Sequence, residues 1–350
     1  MKDALSYDDV LLKPHYSDIR SRAEVDMSAV LMPAHMEAYN RIDVSLPIIS
    51  APMDTITEAP MAAAMADAGG AAVIHRYNSI EAQSKMLRTA TSIARSPSAA
   101  IGGAIGIYGD YIDRATALYD AGAAFICIDV AHGHHILMKE ALAELRDIFG
   151  SGIHIMAGNV ATLEGVNALS DWGADSVRCN IGGGSICSTR VQTGHGIPGL
   201  QTIMDCAQTD RPVKIVADGG IKNAGDIVKA LAAGADIVMC GSLLAGTDET
   251  PGKIYEDTQG MRWKTYRGMA SKEAQVEWRG RYASHEGVSS RVPYRGSVRT
   301  VLSDLERGIR SGFSYSGARN IQELQSKAVF VKQTSSGLKE SDTHITVRKW

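Results

Sequence analysis

The segment Phe125-Ile-Cys-Ile-Asp-Val-Ala131 decides the fold, because it is an apolar, β-branched run that a helical segment follows at once. Apolar residues recur at helical spacing over His135–Phe149, and a second apolar run, His154–Val160, comes next. Such continuous apolar runs are typical of strands in a parallel sheet, whose two faces are both covered. The pattern therefore predicts a strand, a helix and a second, parallel strand.

The same alternation repeats along the chain in both directions from this unit. It predicts eight strands, at Leu46–Met53, Ala71–Tyr77, Ala99–Gly106, Phe125–Ala131, His154–Val160, Ser176–Gly182, Val213–Gly220 and Ile237–Leu244. Helical periodicity fills the intervals, for example over Thr57–Ala68, Leu163–Trp172 and Ala224–Ala233. Eight such units predict an α/β fold, a TIM (β/α)8 barrel. An open doubly wound sheet is the alternative, which the regular repetition disfavours.

The domain organisation follows from where this rhythm stops. We expect a single catalytic barrel over residues 1–350, since barrels of this type form one domain at such lengths. Residues 247–296 break the rhythm with an expected hairpin at Glu249–Gly252 and a polar stretch, Ser271–Ser290, which predicts an active-site flap after strand eight. A helix is expected at about Val298–Arg310, and the polar tail 333–350 is expected to be extended.

Composition excludes several classes of protein. The net charge of −3 argues against a nucleic-acid-binding surface. No apolar run approaches the ~20 residues that span a bilayer, and the N-terminus lacks the apolar core of a signal peptide, so we expect no membrane partner and a cytoplasmic location. Five cysteines without a Cys-x-x-Cys pair argue against disulfides and zinc, and we expect Cys127, Cys179 and Cys240 to be buried.

The loop Asn180-Ile-Gly-Gly-Gly-Ser-Ile-Cys-Ser-Thr-Arg190 follows the sixth predicted strand, at the end of a barrel where active sites form. Its glycines, 182 to 184, allow a tight turn that presents backbone polar groups to a ligand. Cys187 ends the loop, where we expect an exposed nucleophile rather than a core residue.

Two further strand ends predict a nucleotide site. Asp218-Gly-Gly220 and Gly241-Ser242 end strands seven and eight, where barrels commonly bind phosphate through backbone amides. Ser185 supplies a third donor, and Asp218 is then placed to accept hydrogen bonds from ribose hydroxyls.

Other polar residues near the same mouth are less specific. Asp129-Val-Ala-His-Gly-His-His135 lacks the i, i+4 spacing of a helical metal-binding pair, so we expect it to contact a second ligand rather than a metal. Asn159 faces the same mouth from the next strand. Glu286, Arg281 and Tyr282 lie in the predicted flap, where their positions fit either catalytic groups or solvated loop residues.

The chain resembles the IMP dehydrogenase/GMP reductase family over essentially its whole length. The matching stretches are Tyr7–Pro14, Ser50–Thr55, Val73–Arg76, Gly158–Val160, Gly182–Arg190, Ala217–Gly220, Gly241–Leu243, Tyr266–Met269 and Glu286–Gly287. The resemblance implies a TIM barrel that is usually a homotetramer. It also implies covalent chemistry at carbon 2 of a purine nucleotide, through a cysteine thioimidate.

The resemblance also assigns roles to individual residues. Cys187 matches the nucleophile, and Thr189 and Glu286 match the pair that handles the ammonia proton in reductases. Positions matching nucleotide contacts are Ser50, Met53, Ser185, Asp218, Gly219, Gly220, Gly241, Ser242, Tyr266, Gly268 and Met269. Cofactor-side positions are Asp129, Val130, Ala131 and Asn159, and the carbonyls of Gly182, Gly184 and Cys187 match a site for a monovalent cation such as K⁺. Asn180 and Gly183 depart from the glycine and proline usual in this loop.

Different segments of the chain resemble the two enzymes of the family, which catalyse different reactions. Three segments look more like IMP dehydrogenases, which oxidise IMP to XMP with NAD. They are Ser50–Asp54, Tyr266–Met269 and Ser336–Ser341 in the tail. The flap looks more like GMP reductases, which convert GMP to IMP and ammonia with NADPH, because Arg281-Tyr282 lies only five residues before Glu286. Dehydrogenases place that pair further upstream, within a longer flap.

We expect a GMP reductase that uses NADP(H), since the flap bears directly on the chemistry. An IMP dehydrogenase that uses NAD(H) is the alternative, and no regulatory CBS pair interrupts residues 80–100 in either case. A nucleotide-binding protein without catalysis is a third reading, against which the intact Cys187, Thr189 and Glu286 argue.

Overall fold

The computed structural model describes residues 3–31, 42–96, 98–282 and 285–341. Eight parallel strands close into a barrel in the order β10-β11-β4-β5-β6-β7-β8-β9, and β9 pairs back with β10. The strands are β1 (Val10–Leu12), β2 (Ala29–Val30), β3 (Asp43–Val44), β4 (Ile48–Ser50), β5 (Ala71–Ile74), β6 (Ala100–Ile105), β7 (Phe125–Asp129), β8 (His154–Val160), β9 (Ser176–Cys179), β10 (Lys214–Asp218), β11 (Ile237–Cys240), β12 (Tyr255–Glu256), β13 (Arg262–Arg267), β14 (Ser289–Pro293) and β15 (Phe330–Lys332). The predicted TIM barrel is confirmed, and the open sheet is excluded.

Helices separate the barrel strands and cover them. They are α1 (Ala59–Asp67), α2 (Ile80–Ile93), α3 (Tyr111–Asp120), α4 (Ile136–Phe149), α5 (Leu163–Asp171), α6 (Thr189–Thr193), α7 (Gly199–Cys206), α8 (Ala224–Ala232), α9 (Lys272–Arg279), α10 (Val298–Tyr315), α11 (Ile321–Lys327) and α12 (Ser335–Glu340). Several begin at a capping side chain that accepts a first-turn amide, as Ser79 does for α2, Thr162 for α5 and Asn223 for α8. No helix among the described residues is long and apolar enough to cross a membrane.

The barrel wall consists of buried, mostly small and β-branched residues. Every residue of β4, β5, β6, β9 and β11 is buried. Phe125 on β7 is a large, fully buried side chain, and it packs against Gly102 on β6. A Cβ built at Gly102 would lie 2.6 Å from the Phe125 ring, so glycine here makes room for the aromatic side chain.

The region after β11 differs in detail from the sequence prediction. Residues 249–252 form a turn rather than a hairpin, and the sheet that follows is the antiparallel set β12-β13-β14. The polar stretch Ser271–Ser290 contains α9, because Ser271 caps that helix by accepting the Ala274 amide. Helix α10 continues five residues beyond Arg310, since Phe313 extends its buried face.

The tail was expected to be extended from residue 333, and this is wrong for residues 335–340, which form α12. Thr334 caps this helix by accepting the Gly337 amide. Just before it, β15 pairs antiparallel with β1, which brings Lys332 opposite Val10. Residues 342–350 lie outside the described part of the chain.

Candidate active site

A cavity of about 330 Å³ opens where the carboxyl ends of the barrel strands meet the region between β13 and β14. Most of the predicted site residues line it. These are Met53, Asp129, Val130, Ala131, Asn159, Gly182, Gly184, Cys187, Thr189, Asp218, Gly219, Tyr266, Gly268, Met269 and Glu286. The barrel therefore brings together residues that lie more than 200 positions apart in the chain.

Cys187 is the exposed cysteine of the chain, while Cys127, Cys179, Cys206 and Cys240 are buried. Burial raises the pKa of the Cys127 and Cys240 thiols to about 12, so both stay protonated and inert at neutral pH. The Cys187 thiol donates to Thr189 Oγ1 at 3.2 Å, and the Thr189 hydroxyl donates to Glu286 Oε2 at 2.8 Å. This chain of hydrogen bonds connects the sulfur to a carboxylate that can hold its proton.

Glu286 reaches the thiol because backbone hydrogen bonds join the two loops. The Ser188 amide donates to the Glu286 carbonyl at 3.0 Å, and the Val288 amide donates to the Ile186 carbonyl at 3.0 Å. Cys187 and Gly287 face each other across this short antiparallel bridge. The position of Glu286 in the sequence left its role open, whereas these contacts place it beside the candidate nucleophile.

The ends of β10 and β11 meet the glycine loop around Tyr266. The Ser185 hydroxyl lies 3.3 Å from the Tyr266 hydroxyl, and a Cβ at Gly241 would lie 3.2 Å from that same phenol. Burial raises the pKa of Tyr266, so its hydroxyl stays protonated and available as a hydrogen-bond donor. A Cβ at Gly220 would lie 3.3 Å from the Gly183 carbonyl, which shows how closely the two loops approach.

An ion-pair network around Arg178 joins the two predicted halves of the site. Its Nη2 donates to Asp218 Oδ2 at 2.8 Å and its Nη1 donates to Asp129 Oδ1 at 2.6 Å. Asn159 Nδ2 donates to the same Asp218 oxygen at 2.7 Å. Burial by itself would lower the pKa of Arg178, but the two carboxylates outweigh it and raise that pKa above its usual value.

Arg178 is absent from the residues that the sequence pattern predicts for the site. The available signal was its charge, because an arginine inside a strand that is buried on both faces needs ionic partners. Arg76 and Tyr77 also line the cavity on the side of Asp129, and sequence reasoning gave neither a role. The Arg76 Nε is buried and has no hydrogen-bond partner among the described residues, which leaves a donor for a ligand.

Several predicted residues lie outside the lining of the cavity. They are Ser50, Ser185, Gly220, Gly241, Ser242, Arg281 and Tyr282. Ser185 and Gly241 border it through Tyr266, whereas Arg281 and Tyr282 are exposed on the flap and are not brought to the thiol. The Tyr282 ring is 53% exposed and faces the Lys272 ammonium, 5.2 Å from its centre.

The histidines after β7 lie outside the lining of the cavity. His132 and His135 are exposed, and His134 packs on Trp172 with ring centres 5.7 Å apart. The described residues contain no cluster of metal-binding side chains.

Part of the loop proposed to bind a monovalent cation through its carbonyls is hydrogen-bonded within the protein. The Gly184 carbonyl accepts the Cys187 amide at 3.1 Å. The Arg190 side chain packs over Gly182, and its guanidinium donates to the carbonyls of Ile181, at 3.4 Å, and Ile197, at 2.6 Å. The Cys187 amide thus engages one of the three proposed carbonyls, while Arg190 joins the carbonyls of Ile181 and Ile197, so the loop is held by the protein's own donors.

An exposed thiol that is hydrogen-bonded towards a carboxylate at the carboxyl ends of barrel strands is typical of barrel enzymes with a cysteine nucleophile. A family model described as "IMP dehydrogenase / GMP reductase domain" matches residues 4–344. The chain therefore belongs to this family of NAD(P)-dependent oxidoreductases.

Individual relatives point to both branches of the family. Inosine-5'-monophosphate dehydrogenases from Nitrosopumilus maritimus and Aquifex aeolicus are 32% and 34% identical to this chain, with 98% of the chain covered and 98% and 96% of the relatives. The first alignment spans 479 positions, so more than a hundred of them have no counterpart among these 350 residues. A crystal structure of GMP reductase C318A from Trypanosoma brucei, in complex with guanosine 5'-monophosphate, superposes with a TM-score of 0.90 at 29% identity, over 99% of both chains.

Proposed function

We propose that this protein is a GMP reductase, which converts GMP and NADPH to IMP, ammonia and NADP. The observation that supports this direction most is the hydrogen-bonded series Cys187–Thr189–Glu286, while Arg281 and Tyr282 stay outside the cavity. A dehydrogenase must activate water to hydrolyse the thioimidate, whereas a reductase must protonate departing ammonia. The residues at the thiol supply a proton relay, and the pair that resembles the water-activating residues is exposed on the flap.

The chemistry follows from this arrangement. The Cys187 thiol passes its proton through Thr189 to Glu286, and the thiolate attacks carbon 2 of GMP to form a C–S bond. The C2–N bond then breaks, and the amino group leaves as ammonia after the relay returns to it the proton taken from the thiol. When bound on the Asp129 side of the cavity, NADPH would supply the hydride that reduces carbon 2 of the resulting thioimidate. The C–S bond breaks as IMP forms, and Cys187 is regenerated as a thiolate.

The cavity residues divide between the two ligands. Asp218, held by Arg178 and Asn159, accepts from the ribose hydroxyls of the nucleotide. The nicotinamide cofactor would bind on the side of the cavity that is lined by Asp129, Val130, Ala131 and Arg76. The Arg76 Nε, which has no hydrogen-bond partner among the described residues, can donate to an oxygen of that ligand. We also propose a homotetramer, as the resemblance to the family implies, and a cytoplasmic location.

The comparisons support each direction through different relatives. The structural neighbour from Trypanosoma brucei is a GMP reductase with GMP bound, and it covers 99% of this chain. The curated relatives are named dehydrogenases, which makes IMP dehydrogenase the second candidate function. That candidate requires Arg281 or Tyr282 to move into the cavity from the exposed positions they occupy.

A paired assay at 340 nm tests the proposal. Purified protein is mixed with GMP and NADPH, and separately with IMP, NAD and K⁺, and the nucleotide products are identified by chromatography. Loss of NADPH with formation of IMP supports the reductase. Appearance of NADH with XMP overturns it in favour of the dehydrogenase. If neither reaction proceeds, labelling of Cys187 by a 6-chloropurine nucleotide, with Cys187→Ser as the control, separates a reactive thiol from a nucleotide-binding protein without catalysis.

A further inference from the structure

Asn180 has an unusual backbone conformation. Among the described residues it is the one non-glycine residue with a positive φ, at 144°. This region is essentially restricted to glycine, and such strain persists only where the surroundings over-determine it. The residue begins the loop that ends in Cys187, so whatever holds Asn180 also sets where that loop starts.

Three hydrogen bonds hold Asn180 between neighbouring strands. Its main-chain amide donates to the Val160 carbonyl at 2.8 Å, and its main-chain carbonyl accepts from Asn159 Nδ2 at 3.1 Å. Its side-chain Nδ2 donates to the Gly219 carbonyl at 3.3 Å. Asn180 is only 4% exposed, so it joins the ends of β8, β9 and β10 in the barrel interior.

The Asn180 side chain, in its observed position, occupies the space that a side chain at position 183 would need. A Cβ at Gly183 would lie 2.1 Å from Asn180 Nδ2 and 2.7 Å from its Oδ1, so any other residue there would force the Asn180 amide out of its position. The two departures from the family pattern in this loop are therefore one structural unit. The amide of Asn180 occupies the room that a proline at position 183 would need.

We infer that Asn180 is a positioning residue that fixes the nucleophile loop from within, so that turnover does not depend on a monovalent cation. Asn180 holds the start of the loop, Arg190 at its end donates to the carbonyls of Ile181 and Ile197, and the Cys187 amide engages the Gly184 carbonyl. The inference rests on the proposed function only for the choice of assay reaction.

The Asn180 side-chain oxygen is the one group in this unit that could instead bind a cation. Asn180 Oδ1 is buried and has no hydrogen-bond partner among the described residues, and a cation would seek such an oxygen. We therefore measure NADPH oxidation by GMP in KCl and in tetramethylammonium chloride at equal ionic strength. We expect rates that agree within about twofold. Saturable activation by K⁺, about fivefold or more, would overturn the inference and identify Oδ1 as a ligand.

The rate of Cys187 alkylation by iodoacetamide provides a readout that needs no turnover. It should be the same in both salts for the native protein. A K⁺-dependent alkylation rate counts against the inference even if the protein catalyses neither reaction, so failure of the proposed function and failure of this inference remain distinguishable.

Substitutions of Asn180 test directly whether its hydrogen bonds position the loop. Asn180→Gly removes the strain but also the bond to Gly219, and we expect kcat to fall about tenfold or more with the KM for GMP little changed. Asn180→Asp keeps the shape but loses the donor and should behave alike. The control is Asn320→Gly, which removes another structural asparagine, at the start of α11, and should leave turnover unchanged. Native kcat in both Asn180 variants would contradict the positioning role.

The pairing with Gly183 is tested by combining substitutions. Gly183→Ala alone should lower kcat, because its Cβ meets the Asn180 amide. In the Asn180→Gly background the same change should cost little, so the two effects are strongly non-additive. Additive losses would mean that the two positions act independently, which the inferred unit excludes.

Discussion

At the scale of single residues, Thr189 is the side chain that connects the thiol to the carboxylate in the proposed mechanism. Its hydroxyl accepts from the Cys187 thiol and donates to Glu286, so it orients both partners at once. Thr189 is buried at the start of α6, which fixes the hydroxyl relative to the loop. A side chain that accepts one proton while it releases another can pass protons between sulfur and carboxylate without moving.

Replacing either member of the relay should slow ammonia release while leaving a thiol that can still be alkylated. We expect Thr189→Ala and Glu286→Gln each to lower kcat for GMP reduction about 100-fold or more, the range of general acid–base catalysis. Stopped-flow absorbance at 340 nm measures the loss, and iodoacetamide labelling measures the remaining thiol reactivity. Thr193→Ala, one turn further along α6, is the matched control. Full activity in Thr189→Ala would remove the relay from the mechanism.

The sequence predicts some of these residues far better than others. Cys187 is recognisable because a cysteine after three glycines is unlike a core cysteine. Glu286 is recognisable only through the family resemblance, because its contact with Thr189 spans 97 residues and depends on a backbone bridge between two loops. The roles of Arg178 and Asn180 depend on neighbouring strand ends, which a linear pattern does not place side by side.

At the scale of elements, the segment between β13 and β14 is anchored to the barrel at two places. Trp278 on α9 stacks on Tyr77 beyond β5, with ring centres 4.1 Å apart. Arg267 at the end of β13 pairs with Asp54 through its Nε at 2.9 Å and with Glu277 on α9 through its Nη1 at 2.6 Å. These contacts hold α9 against the side of the cavity that contains Tyr77, so the order of the flap and the shape of the site are coupled.

Loss of the Trp278 stack should loosen α9 without unfolding the barrel. An aromatic pair is worth about 1 kcal/mol beyond the area that it buries, so Trp278→Ala should speed amide exchange in α9 by several-fold. The KM for NADPH should rise, because Tyr77 lines the cavity. Hydrogen exchange with mass spectrometry measures the first effect and steady-state kinetics the second. Trp263→Ala, on β13, is the matched control, and equal exchange in both variants would mean that the stack does not anchor the flap.

Element boundaries were predictable where capping residues and apolar periodicity agree. Helix α8 ends one residue before its predicted end, and Asn223 caps its start. The short helices α9 and α12 were missed, since their exposed, polar faces lack an apolar stripe and only Ser271 and Thr334 mark where they begin. Such helices depend on a cap and on tertiary contacts, which outweigh their composition.

At the scale of the whole molecule, closure of the barrel buries some ionisable side chains, which must then be uncharged in the native state. His154 begins β8 and is completely buried, with Nε2 2.8 Å from the Ser176 hydroxyl on β9. Its other ring nitrogen, Nδ1, has no hydrogen-bond partner in the described part of the chain. Burial lowers the pKa of His154 from 6.5 to about 4, because an imidazolium cannot be solvated inside the barrel wall.

This shift predicts a loss of stability in mild acid. The unfolded chain takes up a proton at this histidine below pH 6.5 and the native barrel only below about pH 4, so stability is complete above pH 6.5 and falls as the pH decreases towards 4. The shift corresponds to about 3 kcal/mol of unfolding free energy. Urea unfolding at several pH values measures it, with His154→Leu expected to flatten the dependence and His135→Asn, an exposed histidine that caps α4, expected to leave it unchanged. An unchanged pH dependence in His154→Leu would assign the acid sensitivity to other groups. The expected result would show that the native barrel wall keeps the His154 imidazole neutral at pH values where the unfolded chain protonates it.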